Sequence, residues 1–448
     1  MPCICAVIPL WIKYFTFCED KKGMSENLCN SSTAVLQKLY DEAVRQYESF
    51  KARNLKLDMS RGRPATAQLD ICNGAMNTLD CWMAEGNVDA RNYGQLAGLA
   101  EMRRFFGEWL GIDPDTIVVG GNSSLNMMYD TVVRLMLFGT MGNPAWKDCG
   151  KLKFLCPSPG YDRHFAITQD FGFEMITVPM TPEGPDMDMV EDLVKNDPAI
   201  KGIWCVPLYS NPQGICYSDA VVARLAGMEC AAPDFRIFWD NAYGVHHLYG
   251  ETKLANILEL CEKAGNPERA YYFFSTSKIT FPGGGVAMMA SGKASRAEML
   301  KRIGIQTIGS DKLNQLRTLQ FLKDPQNAQQ HMEKIAESLR PKFETVVNTL
   351  EREIGGTGLA SWNSPRGGYF VAVDTLEGCA KEVVKLAAEA GVVMTGAGAT
   401  FPYGKDPRDT NIRIAPSFPT VQELECAMEL FCVCIKVSCI GKLLRERA

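Results

Sequence analysis

Histidine is scarce in this chain: four in 448 residues, His164, His246, His247 and His331, and none spaced to set two ligands on one helix face. The 17 cysteines contain no C-x-x-C pair, and the two C-x-C pairs, Cys3/Cys5 and Cys432/Cys434, have no further cysteine or histidine at zinc spacing. No metal is expected. An odd number of cysteines scattered along so long a chain is no disulfide framework, so they read as reduced thiols and the location as cytoplasmic. Positive charge is also lacking. Lys plus Arg total 47 against 52 for Asp plus Glu, a net charge of -5, which leaves no field to draw nucleic acid or an anionic membrane surface. The longest apolar stretch is the first 18 residues, MPCICAVIPLWIKYFTFC, where Lys13 and two prolines interrupt the run. Without a basic leader or a small-residue cleavage site it is neither a signal peptide nor a membrane span. Residues 1–24 are therefore read as an atypical apolar N-terminal extension.

What remains is an ordinary globular composition, 46% hydrophobic and 22% charged, on a chain long enough for two domains. From about Thr116 to Ser291 short apolar runs alternate with helical patterns: TIVVG, KLKFLC, EMITVPM, IKGIWCVPL, FRIFWD, RAYYFFS and GVAMMA. That alternation predicts an α/β domain with a mainly parallel seven-stranded sheet, assigned to residues 75–325. From about Asn327 a long amphipathic stretch leads to Gly355-Gly356, with Pro341 expected to bend or break it. The pattern then changes to a smaller α+β domain, residues 326–448. The segment 25–74, which reads as a helix from about Ser31 to Asp58, is expected to pack on that small domain.

Ligands of open α/β sheets lie outside the carboxyl ends of the strands, so the residues directly after each apolar run carry the functional information. After TIVVG, GGNSSLNMM feeds Ser123 and Ser124 into a helix N-terminus, where free N–H groups and hydroxyls can hold a phosphate. After KLKFLC comes Tyr161, whose ring can stack on a planar ligand. After IKGIWCVPL the turn Asn211-Pro212-Gln213-Gly214 leaves one amide free to point inward. After FRIFW comes DNAY, an acid, Asp240, with Tyr243 three residues on; a carboxylate in so apolar a frame needs a partner, such as a protonated ring nitrogen. After RAYYFF, STSKIT places Lys278 beside Ser275 and Ser277, poised for an imine if its pKa is lowered. Each residue alone could be a satisfied loop group. All five together, in this order, are not explained by turns.

From about Leu57 to the C-terminus the sequence resembles the class I/II, fold-type-I aminotransferases that use pyridoxal 5'-phosphate. The resemblance rests on N-P-x-G, D-x-A-Y, S-x-S-K and a late N-I-R-I in that order. SRGRP, NYGQLAGLAEMRR, WDNAYGVHHL and STSKITFPGGGVAMM look most like a distant aspartate aminotransferase subgroup. It implies that Lys278 binds the cofactor as an imine and shuttles the substrate Cα proton. Asp240 would pair with the pyridine N–H, Asn211 and Tyr243 would hydrogen-bond the ring hydroxyl, and Tyr161 would stack on the ring. Ser123, Ser124 and Ser275 would hold the phosphate, with Tyr93 reaching it from the other subunit of a homodimer. Arg413 would clamp the substrate α-carboxylate, Asn211 would also meet substrate, and Gly62 would let the N-terminal segment approach it closely.

One position departs from the family pattern. Where an arginine usually follows the lysine by eight residues to neutralise the phosphate, this chain has Val286. Arg61, Arg63 and Arg91 are candidates for a second substrate carboxylate. The resemblance implies transfer of an amino group from a dicarboxylic amino acid, L-aspartate first, to 2-oxoglutarate. Another donor specificity or a β-lyase keeps the same cofactor site. A regulator that binds the cofactor without turnover would carry a basic recognition helix in front, and the residues there are apolar, then of mixed charge.

Overall fold

The computed structural model describes residues 27–448. The extension 1–24 and the Cys3/Cys5 pair lie outside the described residues. The seven apolar runs form β1 (Ile117–Val119), β2 (Lys153–Ser158), β3 (Glu174–Thr181), β5 (Ile200–Cys205), β6 (Arg236–Asp240), β7 (Ala270–Ser275) and β8 (Ala287–Ser291). A two-residue strand, β4 (Gly184–Pro185), adds an eighth at the edge. The order across the sheet is β1-β8-β7-β6-β5-β2-β3-β4. Pairing is parallel from β7 through β6, β5 and β2 to β3, and antiparallel where β8 and β4 join.

Successive residues on the central strands enter opposite cores. Phe238 and Phe273 pack with Phe154 and Trp204 on one face; Ile237, Trp239, Tyr272 and Phe274 pack on the other. A parallel sheet covered on both faces needs continuous apolar runs, which is why these segments read without polar alternation. The register Phe273↔Asp240 then sets the ends of β6 and β7 side by side.

A three-stranded antiparallel sheet, β9 (Ala360–Trp362), β10 (Val371–Thr375) and β11 (Asn411–Ile414), carries the C-terminal part. Helix Val421–Arg445, opened by a Thr420/Glu423 capping box, packs against helices Pro325–Ile354, Ala380–Glu389 and Thr33–Lys51. Tyr47 on that first helix donates to the Leu386 carbonyl (3.1 Å), and Leu57–Asp58 pairs in parallel with Val392–Val393. Pro341 does not break its helix, which is assigned without interruption from Pro325 to Ile354. Ile335, Ala336 and Leu339 before it and Phe343, Val346 and Leu350 after it are all buried on one face. Burying those side chains outweighs the ~3 kcal/mol that a mid-helix proline costs. No helix among the described residues is long and apolar enough to cross a membrane.

Candidate active site

The residues at the strand ends converge on one cavity of about 320 Å³. Asp240 closes β6 and its side chain is almost wholly buried. Its Oδ2 lies 3.0 Å from His164 Nε2; an ionised carboxylate only accepts, so the imidazole donates there. His164 lies flat on Trp204, ring centres 4.4 Å apart and planes 10° apart. The other oxygen, Oδ1, is buried and has no donor.

Lys278 follows β7, its Nζ 5.0 Å from the ring centre of Tyr243 and 5.8 Å from that of Tyr369. Burial pulls its pKa below the usual lysine value, against an opposing pull from the Asp240 carboxylate. A lysine so placed spends more of its time as the free amine, the form that attacks a carbonyl carbon. Its backbone is held from below. Gln68 Nε2 donates to the Lys278 carbonyl (3.2 Å) and to the Tyr369 hydroxyl (2.5 Å). The next carbonyl, of Ile279, accepts from Cys72 Sγ (3.3 Å) and lies 2.7 Å from His331 Nε2.

Hydroxyls gather at the start of helix Ser124–Phe138. Ser123 stands at the N-cap, yet its side chain caps nothing and remains available. Ser275 Oγ donates to Ser277 Oγ (3.0 Å), which donates to the Asn122 carbonyl (3.0 Å). All of these residues and Ser124 line the cavity. Tyr161, Asn211 and Tyr243 line it as well. Burial, helped by the Asp240 charge, pushes the Tyr161 phenol up to about 12, and burial raises Tyr243 further, so both stay protonated donors.

Arg413 comes from β11 of the smaller sheet and is buried. Its Nη1 donates to Asp162 Oδ1 (2.9 Å) and Asn211 Oδ1 (3.2 Å), and its Nη2 to Thr395 Oγ1 (3.3 Å); Nε is buried with no acceptor. The guanidinium carbon lies 4.9 Å over the Phe370 ring. Gly62 presses on the same ring: a Cβ there would fall 2.5 Å from Phe370 Cζ. The close approach expected at Gly62 is thus to the aromatic floor beneath Arg413.

Tyr93 does not line the cavity and is 82% exposed. Arg61 and Arg63 flank Gly62, with Arg63 over the Phe418 ring (3.7 Å), whereas Arg91 is tied to Asp89 (2.7 Å). Val286 points into the core, its amide donating to Thr276 Oγ1 (2.9 Å). Arg317 approaches the glycine run before it: a Cβ on Gly284 would fall 2.9 Å from Arg317 Nη2. Sequence reasoning missed His164, Asp162 and Gln68. His164 had a signal, since three residues after Tyr161 on a helix is the same face.

An orphaned buried carboxylate oxygen suits a protonated ring nitrogen, and a hydroxyl-lined helix N-terminus suits a phosphate monoester. With an amine of lowered pKa between them, the fold and this set define the class, a fold-type-I enzyme that uses pyridoxal 5'-phosphate. The model of the aspartate amino-transferase family matches residues 30–447, and the chain belongs to that family: it is a pyridoxal-phosphate-dependent aminotransferase. An aspartate aminotransferase of Corynebacterium glutamicum is 43% identical over 400 residues, 88% of this chain and 92% of the relative. The crystal structure of an aspartate transaminase from C. glutamicum superposes with a TM-score of 0.92 at 40% identity, covering 94% of this chain and 100% of that one. The α-aminoadipate aminotransferase of Thermus thermophilus, complexed with N-(5'-phosphopyridoxyl)-L-leucine, shares the fold at a TM-score of 0.68 and 21% identity, over 95% and 98% of the two chains.

Proposed function

We propose that this enzyme transfers the amino group of L-aspartate to 2-oxoglutarate, giving oxaloacetate and L-glutamate, as a cytoplasmic homodimer. The observation that carries the reading is Arg413, a buried planar fork bonded to Asn211, which lines the cavity with Lys278 and Asp240, and suited to an α-carboxylate. The 43% identical relative named aspartate aminotransferase supports the choice of donor.

Bound pyridoxal phosphate supplies an electron-withdrawing ring that takes up the charge left when the substrate Cα loses its proton. Lys278 would anchor the cofactor and, once released from it, carry that proton. Asp240, fixed by His164, would hold the ring N–H. Asn211 and Tyr243 would hold the ring hydroxyl, and Tyr161 would cover the ring. Ser123, Ser124 and Ser275 would hold the phosphate. With Val286 in the core, Arg317 is the cation assigned to neutralise the phosphate, since it approaches Gly284 in the glycine run and donates to the Asn314 amide oxygen (2.5 Å). The high exposure of Tyr93 suits a residue that completes the site of the partner subunit. Arg61, Arg63 or Arg91 takes the second carboxylate of the substrate. A panel of amino donors with 2-oxoglutarate tests the assignment: aspartate should give the highest kcat/KM, and alanine or an aromatic donor outrunning it would remove aspartate as the substrate.

A further inference from the structure

Arg413 already has a carboxylate on it. Asp162 Oδ1 sits 2.9 Å from Nη1, on an arginine side chain only 7% exposed, while the Asp162 side chain is 35% exposed. Without that partner the guanidinium would be a buried cation with only Asn211, Thr395 and the Phe370 ring around it. Such a cation is costly, so the resting site needs a counter-charge. When a substrate carboxylate arrives, two like charges cannot share one fork, and the more exposed one has somewhere to go. Asp162 is the first residue of helix Asp162–Asp170, whose unpaired N–H groups and dipole favour a carboxylate at that end.

We infer that Asp162 is a stand-in for the substrate α-carboxylate: it neutralises Arg413 in the empty site and is exchanged for the substrate on binding. The inference rests on Arg413 being the carboxylate clamp. Asp162 is then a positioning residue that sets how tightly carboxylates bind, because substrate gains only the difference between its own pairing and the one it displaces. A residue that merely orients Arg413 has the opposite signature, since its removal loosens the clamp.

The test is calorimetric binding of maleate, a dicarboxylate that cannot be transaminated, to the holoenzyme. Asp162→Asn and Asp162→Ala should each bind maleate about tenfold more tightly, the size of one competing charge-assisted contact at a partly exposed site. Asp162→Glu, which can still reach the fork, should stay near wild type. KM for the amino donor should fall in the first two variants. Unchanged or weaker maleate binding in Asp162→Asn and Asp162→Ala would overturn the exchange. Arg413→Ala separates the two levels: if it leaves maleate binding intact, the clamp assignment itself fails, whereas lost binding there with no tightening in the Asp162 variants sinks only the stand-in.

Discussion

Replacing His164 by Phe keeps a flat ring on Trp204 and removes one thing, the Nε2–H donated to Asp240. Both partners of that 3.0 Å bond are buried, at 1% and 3% side-chain exposure, so no solvent screens the loss. Hydrogen bonds to charged groups are worth roughly 1.5–3 kcal/mol, and a buried acceptor left without a donor falls at the upper end. Asp240 would then have neither oxygen satisfied in the cofactor-free protein, because Oδ1 has no donor to begin with. Urea unfolding of the cofactor-free variant at pH 7 should show a loss of about 2–3 kcal/mol. Because about 1.4 kcal/mol is tenfold in an equilibrium constant, the same loss of a fixed carboxylate should weaken cofactor binding at least tenfold. Fluorescence titration with pyridoxal phosphate reads the second effect. His164→Gln, with a donor at similar reach, should recover part of both. A His164→Phe protein as stable as wild type, with unaltered cofactor affinity, would refute the idea that the imidazole holds the carboxylate.

Lys278→Ala should fold normally and lose turnover entirely, with circular dichroism and a transamination assay as the readouts; a near-normal rate would exclude Lys278 as the amine. Gly62→Ala should push the Phe370 ring and the guanidinium above it, raising KM for both substrates about tenfold for an overpacking cost of roughly 1–3 kcal/mol, with little change in cofactor absorbance. His246 is buried with both ring nitrogens unpartnered, its pKa pushed down from 6.5 to about 3 by burial and then by the Lys278 charge. Below pH 6.5 the unfolded chain gains a proton there that the folded one refuses, so stability should fall with pH toward 3 at about 1.4 kcal/mol per unit. Denaturant curves at pH 7 and 5 should therefore differ by about 2 kcal/mol less in His246→Phe than in wild type.

The parallel strands were legible because a sheet covered on both faces demands uninterrupted apolar runs. The site residues were legible because such a sheet delivers its chemistry at one edge. Tyr161, Asn211, Asp240, Ser275 and Lys278 are each a few residues past a run, and they meet at one cavity. What pairs across the sequence was not legible. Asp162 and Arg413 are 251 residues apart, and Gln68 and Lys278 are 210 apart. No local period encodes either contact. Of the bend or break expected at Pro341, the break does not occur, for a related reason: proline's local cost was visible, and the buried face that carries the helix through it was not. The two-residue β4 has no apolar run to announce it.

The helix Thr33–Lys51 lies against Val421–Arg445, so its main partner is synthesised nearly four hundred residues after it. At about 5–20 residues per second its apolar stripe of Leu36, Ala43 and Tyr47 waits about 20–80 s for that cover. The parallel sheet in between can form first, yet the Lys278 backbone gains its Tyr369-linked Gln68 support only once Tyr369 has been made. Newborn chains should therefore depend on chaperones for most of translation, and a circular permutant that makes Thr33–Lys51 and Val421–Arg445 neighbours in sequence should escape that dependence.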